Sequence, residues 1–380
     1  MSFPIVELGE VVDFKGGGTP SRDKLDYWGG DIPWATVKDF NDGHVIRTTQ
    51  EFITSEGLEQ SASNLIPAGT VIIPTRMALG KAVVTEVDLA INQDLKAVFP
   101  SEKIDARYLL WYFIANASKI EAMGKGATVK GVTLEQLRKL KFPFVPLSDQ
   151  RRIAALLDKA SAICVKRREV ILKLDLLVRT LFVDMFGDPL SNSKGWPIFK
   201  LEELVQFTGG SQPPKSVFVD SPRPGYVRLV QIRDFRTDKY PTYIPDDLAR
   251  RRFEKTDVMI GRYGPPVFQI FRGMEGSYNV ALMKAEPKEK LLPDYLFYML
   301  KNYSVQRSVI ASSQRSAGQT GVNLEFLHGI EVGTPPVSLQ EKFASAVVAL
   351  DAQREVYVRS ESKANVLLNS LKYQMFAGKL

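Results

Sequence analysis

Cysteine and histidine are almost missing from this chain of 380 residues, which holds one of the former, Cys164, and two of the latter, His44 and His328. A single cysteine forms no internal disulfide, which fits a reducing compartment. No Cys/His cluster has zinc spacing, and neither histidine stands in a pattern with Ser, Cys or Asp that suggests a nucleophilic triad. Cys164 reads as a small buried apolar group rather than a nucleophile. There is no Gly-x-x-x-x-Gly-Lys-Ser/Thr phosphate loop. No apolar run approaches the roughly 18 residues that a bilayer span needs, and the opening MSFPIVELGE carries neither a basic leader nor an apolar signal core. These absences argue against an enzyme and a membrane protein. They lead to the expectation of a cytoplasmic protein that binds neither metal nor cofactor itself.

What is present is enough for substantial cores: 44% of residues are hydrophobic, and the length suits two or three units. The net charge of +7 makes a polyanionic partner plausible, because lysines and arginines laid along phosphates release counterions. A merely basic surface would give the same balance.

The chain is also written twice. Residues 4–20 (PIVELGEVVDFKGGGTP) align without a gap to residues 197–213 (PIFKLEELVQFTGGSQP). GVTLEQL (131–137) pairs with GVNLEFL (321–327), followed by Pro146/Pro336, Ser148/Ser338 and Gln150/Gln340. A period of about 190 residues is far too long for a solenoid, so this is a duplicated domain with pseudo-two-fold symmetry.

In the first copy, β-rich runs (VIIPTRM at 71–77, KAVVTEV at 81–87, KAVF at 96–99) and one apolar helix, YLLWYFIANA (108–117), predict a mixed α/β or α+β body. The second repeats the order with VRLVQIRDF (227–235), VMIGRY (258–263), VFQIF (267–271) and YLFYMLKN (295–302). Each body leads into a long helical stretch. From 147 to 186, steps of four and three place Ile153, Leu157, Ala160, Cys164, Arg167, Ile171, Leu174, Val178, Leu181 and Met185 on one stripe. The C-terminal copy places Phe343, Val347, Leu350, Arg354, Tyr357, Glu361, Ala364, Leu368, Leu371 and Met375 on the matching stripe. Ser148 can serve as N-cap of the first helix, and Gly187 stands where it should end.

Such helices, roughly 60 Å long, need partners, and packing the two together as an antiparallel coiled coil covers both seams. The alternative makes each helix a core element of its own domain. The expected fold class is therefore α+β, two pseudo-symmetric bodies (1–147 and 191–336) joined by two long helices (148–190 and 337–380).

The run Phe14-Lys15-Gly16-Gly17-Gly18 is similar to the Phe-x-Gly-x-Gly loop that contacts S-adenosylmethionine in amino-methyltransferases. The companion Asp/Asn-Pro-Pro-aromatic motif is missing, however, and the second copy reads Phe207-Thr208-Gly209-Gly210-Ser211. Both glycine pairs read instead as turns after a β segment.

Taken together, the opening LGEVVDFKGGGTP, the segments IPWATVKDF (32–40) and AINQDLKAVFP (90–100), and above all residues 145–189 resemble the specificity (S) subunit of type I restriction-modification systems. The resemblance implies that each body is a target recognition domain reading one half of a split, asymmetric duplex DNA site. It implies that the helices form a spacer setting the separation of the halves, and that the chain performs no chemistry. Two methyltransferase subunits using S-adenosylmethionine, and motor-nuclease subunits using ATP and magnesium, are the implied partners. A coiled-coil protein scaffold without DNA recognition is the competing reading. The second body departs from the first where Ser216–Gly225 replaces Trp28-Gly29-Gly30-Asp31, and where Asn279-Val280-Ala281-Leu282 replaces Asn92-Gln93-Asp94-Leu95.

Base edges are read by forked donors and acceptors: Arg to guanine, Asn or Gln to adenine. By alignment Arg76 falls opposite Arg262, each just after a strand, and this pair heads the candidates; a shared structural salt bridge is the alternative. Lys38-Asp39 and Arg233-Asp234 recur at matched places, either as phosphate contacts or as fold-stabilising pairs. The first glycine-rich loop region offers Lys15, Thr19, Arg22 and Lys24, and the second Gln212 and Lys215. Later polar stretches add Lys125, Thr128 and Lys130 in the first copy and Gln314, Arg315, Gln319 and Thr320 in the second. The basic run Lys166-Arg167-Arg168 suits phosphates, an acidic partner surface or plain solvation.

Overall fold

The structure, a computed structural model, describes residues 3–41, 43–125, 131–264, 266–313 and 321–376. The chain divides into two compact units, one made of Met1–Val170 and Tyr357–Leu380, the other of Ile171–Val356. The division cuts both long helices, Leu147–Phe186 and Val337–Phe376, near their middles. No helix among the described residues is long and apolar enough to cross a membrane.

Besides a short antiparallel pair, Ile5–Glu7 with Lys141–Pro143, matched in the second unit by Ile198–Lys200 with Glu331–Gly333, the first unit's body carries two larger sheets. In one the strand order is Val12–Gly16, Leu95–Pro100, Val71–Pro74, Val83–Thr85, Val45–Ile46; in the other it is Glu51–Ile53, Trp28–Ala35, Leu89–Ile91, Leu65–Ile66. The second unit repeats this with Val205–Gly209, Leu282–Pro287, Val258–Gly261, Gln269–Phe271 and, in its other sheet, Tyr243–Pro245, Tyr226–Val230, Gly276–Tyr278, Arg252–Phe253. Only the edge strand Val45–Ile46 has no counterpart among the described strands of the second unit. The runs expected to be strands are so, but several are shorter: VIIPTRM is extended-paired only to Pro74, and VRLVQIRDF turns after Val230 into a 3-10 helix, Ile232–Phe235.

The apolar helix of the first body spans Ala106–Ala115, started by the Asp105 side chain, which accepts from the backbone of Arg107 and Tyr108 at 2.9 and 3.1 Å. It is buried from Tyr108 through Phe113, so it is a core helix rather than an amphipathic one. Tyr108 donates its hydroxyl to the Pro143 carbonyl at 3.1 Å; in the second body Tyr295 does the same to Gly333 at 3.2 Å. Burial of these phenols raises their pKa far above the ordinary tyrosine value.

Each long helix begins under its own body, locked by a glutamine. Gln150 is fully buried: its Oε1 accepts from the Asp105 backbone at 2.8 Å and its Nε2 donates to the carbonyls of Lys103 and Val145 at 2.9 and 2.8 Å. Gln340, also fully buried, repeats every bond with Leu292, Lys290 and Pro335. The first helix starts at Leu147, one residue before the expected cap. Ser148 therefore lies inside the first turn, where the Pro146 carbonyl accepts from Asp149 and Gln150 at 2.9 and 3.0 Å. Gly187 does end it, at φ +75° with its N–H on the Val183 carbonyl.

In both units the helix segments pair antiparallel. In the first, Arg167 donates to the Ser360 carbonyl at 2.8 Å and Arg168 meets Glu361 at 3.1 Å. In the second, Arg354 meets Asp175 at 2.8 Å while Phe343 packs on Phe182 and Phe186, ring centroids 5.6 and 5.3 Å apart. Ile153, Leu157, Ile171, Val178, Phe343, Val347 and Leu368 are buried, and Ala160, Leu174, Leu181, Leu350, Tyr357 and Leu371 half-buried. The seam's polar breaks are thus its cross-helix hydrogen bonds. One expectation needs correcting. The seams are not left to each other alone, because Ile153, Ala154, Leu157 and Cys164 share one core with Tyr108, Leu368 and Met375. Val178, Phe182 and Phe186 likewise share one with Tyr295 and Phe343. The two readings of the helices are both realised: coiled-coil partners, and core elements of the bodies.

Candidate nucleic-acid interface

The ladders allow the bodies to be matched residue by residue. Leu95 pairs with Pro74 and Leu282 with Gly261. The Asn92 side chain accepts from Asp94 N at 3.2 Å and that of Asn279 from Ala281 N at the same distance. At the end of the first long strand, Gly18 donates to the Ile91 carbonyl at 3.0 Å and Ser211 to that of Tyr278 at 3.1 Å. Just before them, a Cβ on Gly17 would lie 1.9 Å from the Ile91 oxygen, and one on Gly210 2.0 Å from that of Asn279. The repeated glycines therefore let two backbones cross in contact. They send the loops bearing Thr19 and Gln212 to the same exposed place.

In the first body, Thr19, Arg22 and Lys38 line one cleft of about 550 Å³ together with Trp34, Thr36, Val37, Glu51, Met77, Asn92 and Gln93. The Thr19 hydroxyl donates to the Gln93 side chain. Arg22 stacks on the Trp28 ring, its guanidinium carbon 3.6 Å from the centroid, and is gripped two-pronged by Glu51 at 2.5 and 3.0 Å. That pairing with Glu51 offsets its charge and uses two of its five N–H donors, so Arg22 shapes the cleft with its remaining donors still available. The bond from Arg22 holds the Glu51 carboxyl below its ordinary pKa. That contribution is complete above the usual glutamate range and fades as pH falls through the lowered value.

Lys38 lies in the 3-10 helix Val37–Asp39, and its neighbour serves the fold: Asp39 accepts from Thr36 N at 2.7 Å and Gln50 N at 2.8 Å. Arg233 sits identically, with Asp234 accepting from Gln231 N at 2.7 Å. Burial pushes the Asp234 carboxyl up, against the pull of that N–H, Arg228 and Arg233. In both copies the acid stabilises the turn and the cation is exposed, although the Arg233 guanidinium also donates to the Tyr240 carbonyl and the Thr242 hydroxyl at 3.4 and 3.5 Å.

Arg76 is highly exposed, 66%, with Asp94 at 3.9 Å. It bridges Gly131, which on its other side exchanges two 2.9 Å backbone hydrogen bonds with Lys125. Its expected partner is not Arg262. Thr75 N donates to the Asp94 carbonyl and Val132 N to that of Thr75; in the second body those bonds are made by Arg262, with Ala281 and Val322. Arg262 is thus the counterpart of buried Thr75, and Arg76 that of Tyr263, which bridges Gly321. Neighbours on an extended segment point to opposite sides, so a shift of one residue in alignment exchanges an outward arginine for an inward one.

Lys15 lies on the strand Val12–Gly16, is exposed and is not among the cleft-lining residues; Gln212 and Lys215 are exposed on the second copy's loop. Lys130, Arg315 and Gln319, like Thr128, Gln314 and Thr320, fall outside the described residues. Met77 escaped sequence reading. It holds φ +57°, a left-handed conformation uncommon outside glycine, and is exposed on the cleft's edge. Gln93 and Tyr263 were also missed, because only the ladder register brings them to the positions of the other candidates.

Residues 3–172 match the family described as "Type I restriction modification DNA specificity domain". The chain is 33% identical over 159 residues to the EcoR124I/EcoR124II specificity subunit of Escherichia coli, covering 40% of this chain and 39% of that protein. It is 25% identical over 245 residues to the MjaIX specificity subunit of Methanocaldococcus jannaschii, covering 59% of this chain and 56% of the relative. These matches span about half or less of the curated relatives' length. Among solved structures, the S subunit of a type I restriction-modification system from M. genitalium matches with a TM-score of 0.61 at 14% identity, over 99% of this chain and 96% of that one. The resemblance carried by the repeated motifs is borne out: residues 3–172 match the type I restriction-modification DNA specificity domain family, and the chain has the fold of the type I S subunits.

Proposed function

We propose that this chain is the non-catalytic, sequence-reading subunit of a type I restriction-modification assembly in the cytoplasm. Each body reads one half of an asymmetric, two-part duplex site. The paired helices set the number of base pairs between the halves and dock two methyltransferase subunits, to which motor-nuclease subunits add. S-adenosylmethionine and ATP with magnesium act on those partners.

One observation carries the reading. A single scaffold occurs twice, its interior bonds repeated, while matched exposed positions differ: Thr19 against Gln212, Lys38 against Arg233, Arg76 against Tyr263, Gln93 against Val280. A scaffold kept constant under changing surface chemistry suits two recognition events on related geometry with different base sequences. The net charge of +7 supplies the sequence-independent attraction to phosphates.

Single-molecule methylation mapping of host DNA, with and without the gene, tests this. Loss of N6-methyladenine at one asymmetric two-part motif supports it. An unchanged methylome in a host whose partner methyltransferase is active overturns it. On purified assembly, adding one base pair between the two halves of the site should weaken binding sharply; indifference to that spacing removes the ruler role of the helices.

A further inference from the structure

Resting on the DNA-reading role just proposed, we infer that Tyr263, backed by Arg262, is the base-contacting residue of the second body, standing on the backbone site that Arg76 occupies in the first. Its target is a base-pair edge in the major groove of the second half-site, where an apolar ring edge meets a thymine methyl.

Tyr263 is an exposed aromatic side chain, 38% accessible, at the end of the strand Val258–Gly261. Its backbone is held by the antiparallel bridge to Gly321 and by the Val322 N–H on the Arg262 carbonyl at 2.9 Å. Its ring lies against the bare backbone of Gly321: a Cβ there would come within 3.1 Å of both Cδ1 and Cε1. On the ring sits the Arg262 guanidinium, 5.2 Å from the centroid. One side of the phenol is thus braced by protein while part of it remains open, so little ordering is needed when a base edge meets it.

Arg262 adds a second, independent observation. Its Nε is buried and has no hydrogen-bond partner among the described residues. A buried donor without a partner among the described residues needs an acceptor that those residues do not supply. Its Nη1 lies 3.5 Å from the Cβ site of Gly209, at the strand end leading into the loop of Gln212 and Lys215. The open ring, the guanidinium with its unpaired Nε and the loop of Gln212 and Lys215 therefore occupy one neighbourhood, as a base edge and its neighbouring phosphate would require. The first body has buried Thr75 in place of Arg262 and an extended cation in place of the ring, so the two half-sites are read with different chemistry from one backbone position.

The full chain, captured from its host with its bound subunits, is offered a pool of randomised duplex DNA, and the selected sequences are read. Tyr263→Ala is expected to bind the wild-type site about tenfold to a hundredfold more weakly and to lose preference at one position of the second half-site only. Tyr263→Phe should keep affinity and motif, since the ring rather than the hydroxyl makes the contact. Tyr263→Arg, a residue the same backbone site accepts in the first body, should keep the fold and acquire a guanine preference there. A Tyr263→Arg chain that selects the wild-type motif, or Tyr263→Ala relaxing both half-sites equally, overturns the inference. If the wild-type assembly selects no sequence at all, the DNA-reading role fails and takes this inference with it. A wild type that selects a two-part site beside an unchanged Tyr263→Arg chain sinks the inference alone.

Discussion

Lys38 and Asp39 are adjacent, oppositely charged and repeated as Arg233 and Asp234, and the structure separates their tasks. Asp39 ties down its turn through two backbone donors, whereas Lys38 exposes its ammonium at the cleft. Asp39→Ala should cost the first unit about 1–2 kcal/mol in denaturant unfolding, as the loss of a cap does. Lys38→Ala should leave stability within about 0.5 kcal/mol while lowering duplex affinity and making the salt slope shallower by about one. The reverse assignment, with Lys38→Ala destabilising and binding intact, would make the lysine structural. The sequence marks both residues as repeated but not which serves folding, because that depends on where the Thr36 and Gln50 amides end up. Gln150 and Gln340 make the same point: their recurrence is plain in the sequence, but their triple bonding appears only when three distant backbone groups converge.

At the scale of elements, heptad spacing located both long helices and their seams almost to the residue, since every stripe position is buried or half-buried. What it left open was the second surface of each seam. Periodicity reports that a face is apolar, not whether a helix or a sheet covers it. Phe182, off the stripe, is buried between Tyr295, Phe186 and Phe343. Phe182→Ala should therefore destabilise the second unit by about 3–5 kcal/mol, measured by calorimetry, with the first unit's transition unmoved. Equal losses in both transitions would show the seam to be one cooperative block. The recognition loops were the least legible elements. An alignment of two short, divergent strand ends carries no information on a one-residue shift, and only the hydrogen-bond ladder decides whether Arg76 answers to Arg262 or Tyr263.

For the whole molecule, the first unit is discontinuous: residues 1–170 are completed by 357–380, whereas the second is the uninterrupted run 171–356. Leu368 and Met375 are buried in the first unit's core, and the Phe376 ring packs 5.1 Å from that of Tyr108. A chain stopped after Val356 should lose amide-exchange protection around Tyr108–Phe113 while keeping it around Tyr295–Leu300; the opposite pattern would assign the last helical segment to the other core. Synthesis proceeds from the N-terminus, so the body begun first is completed by residues 357–376, which follow the whole of the second. Until residues 357–376 leave the ribosome, the leading body waits with an open apolar floor while the trailing one can already close. A late nonsense or frameshift lesion would accordingly impair the body farthest from it in sequence, and damage at one end of the gene would be felt as a defect of the other.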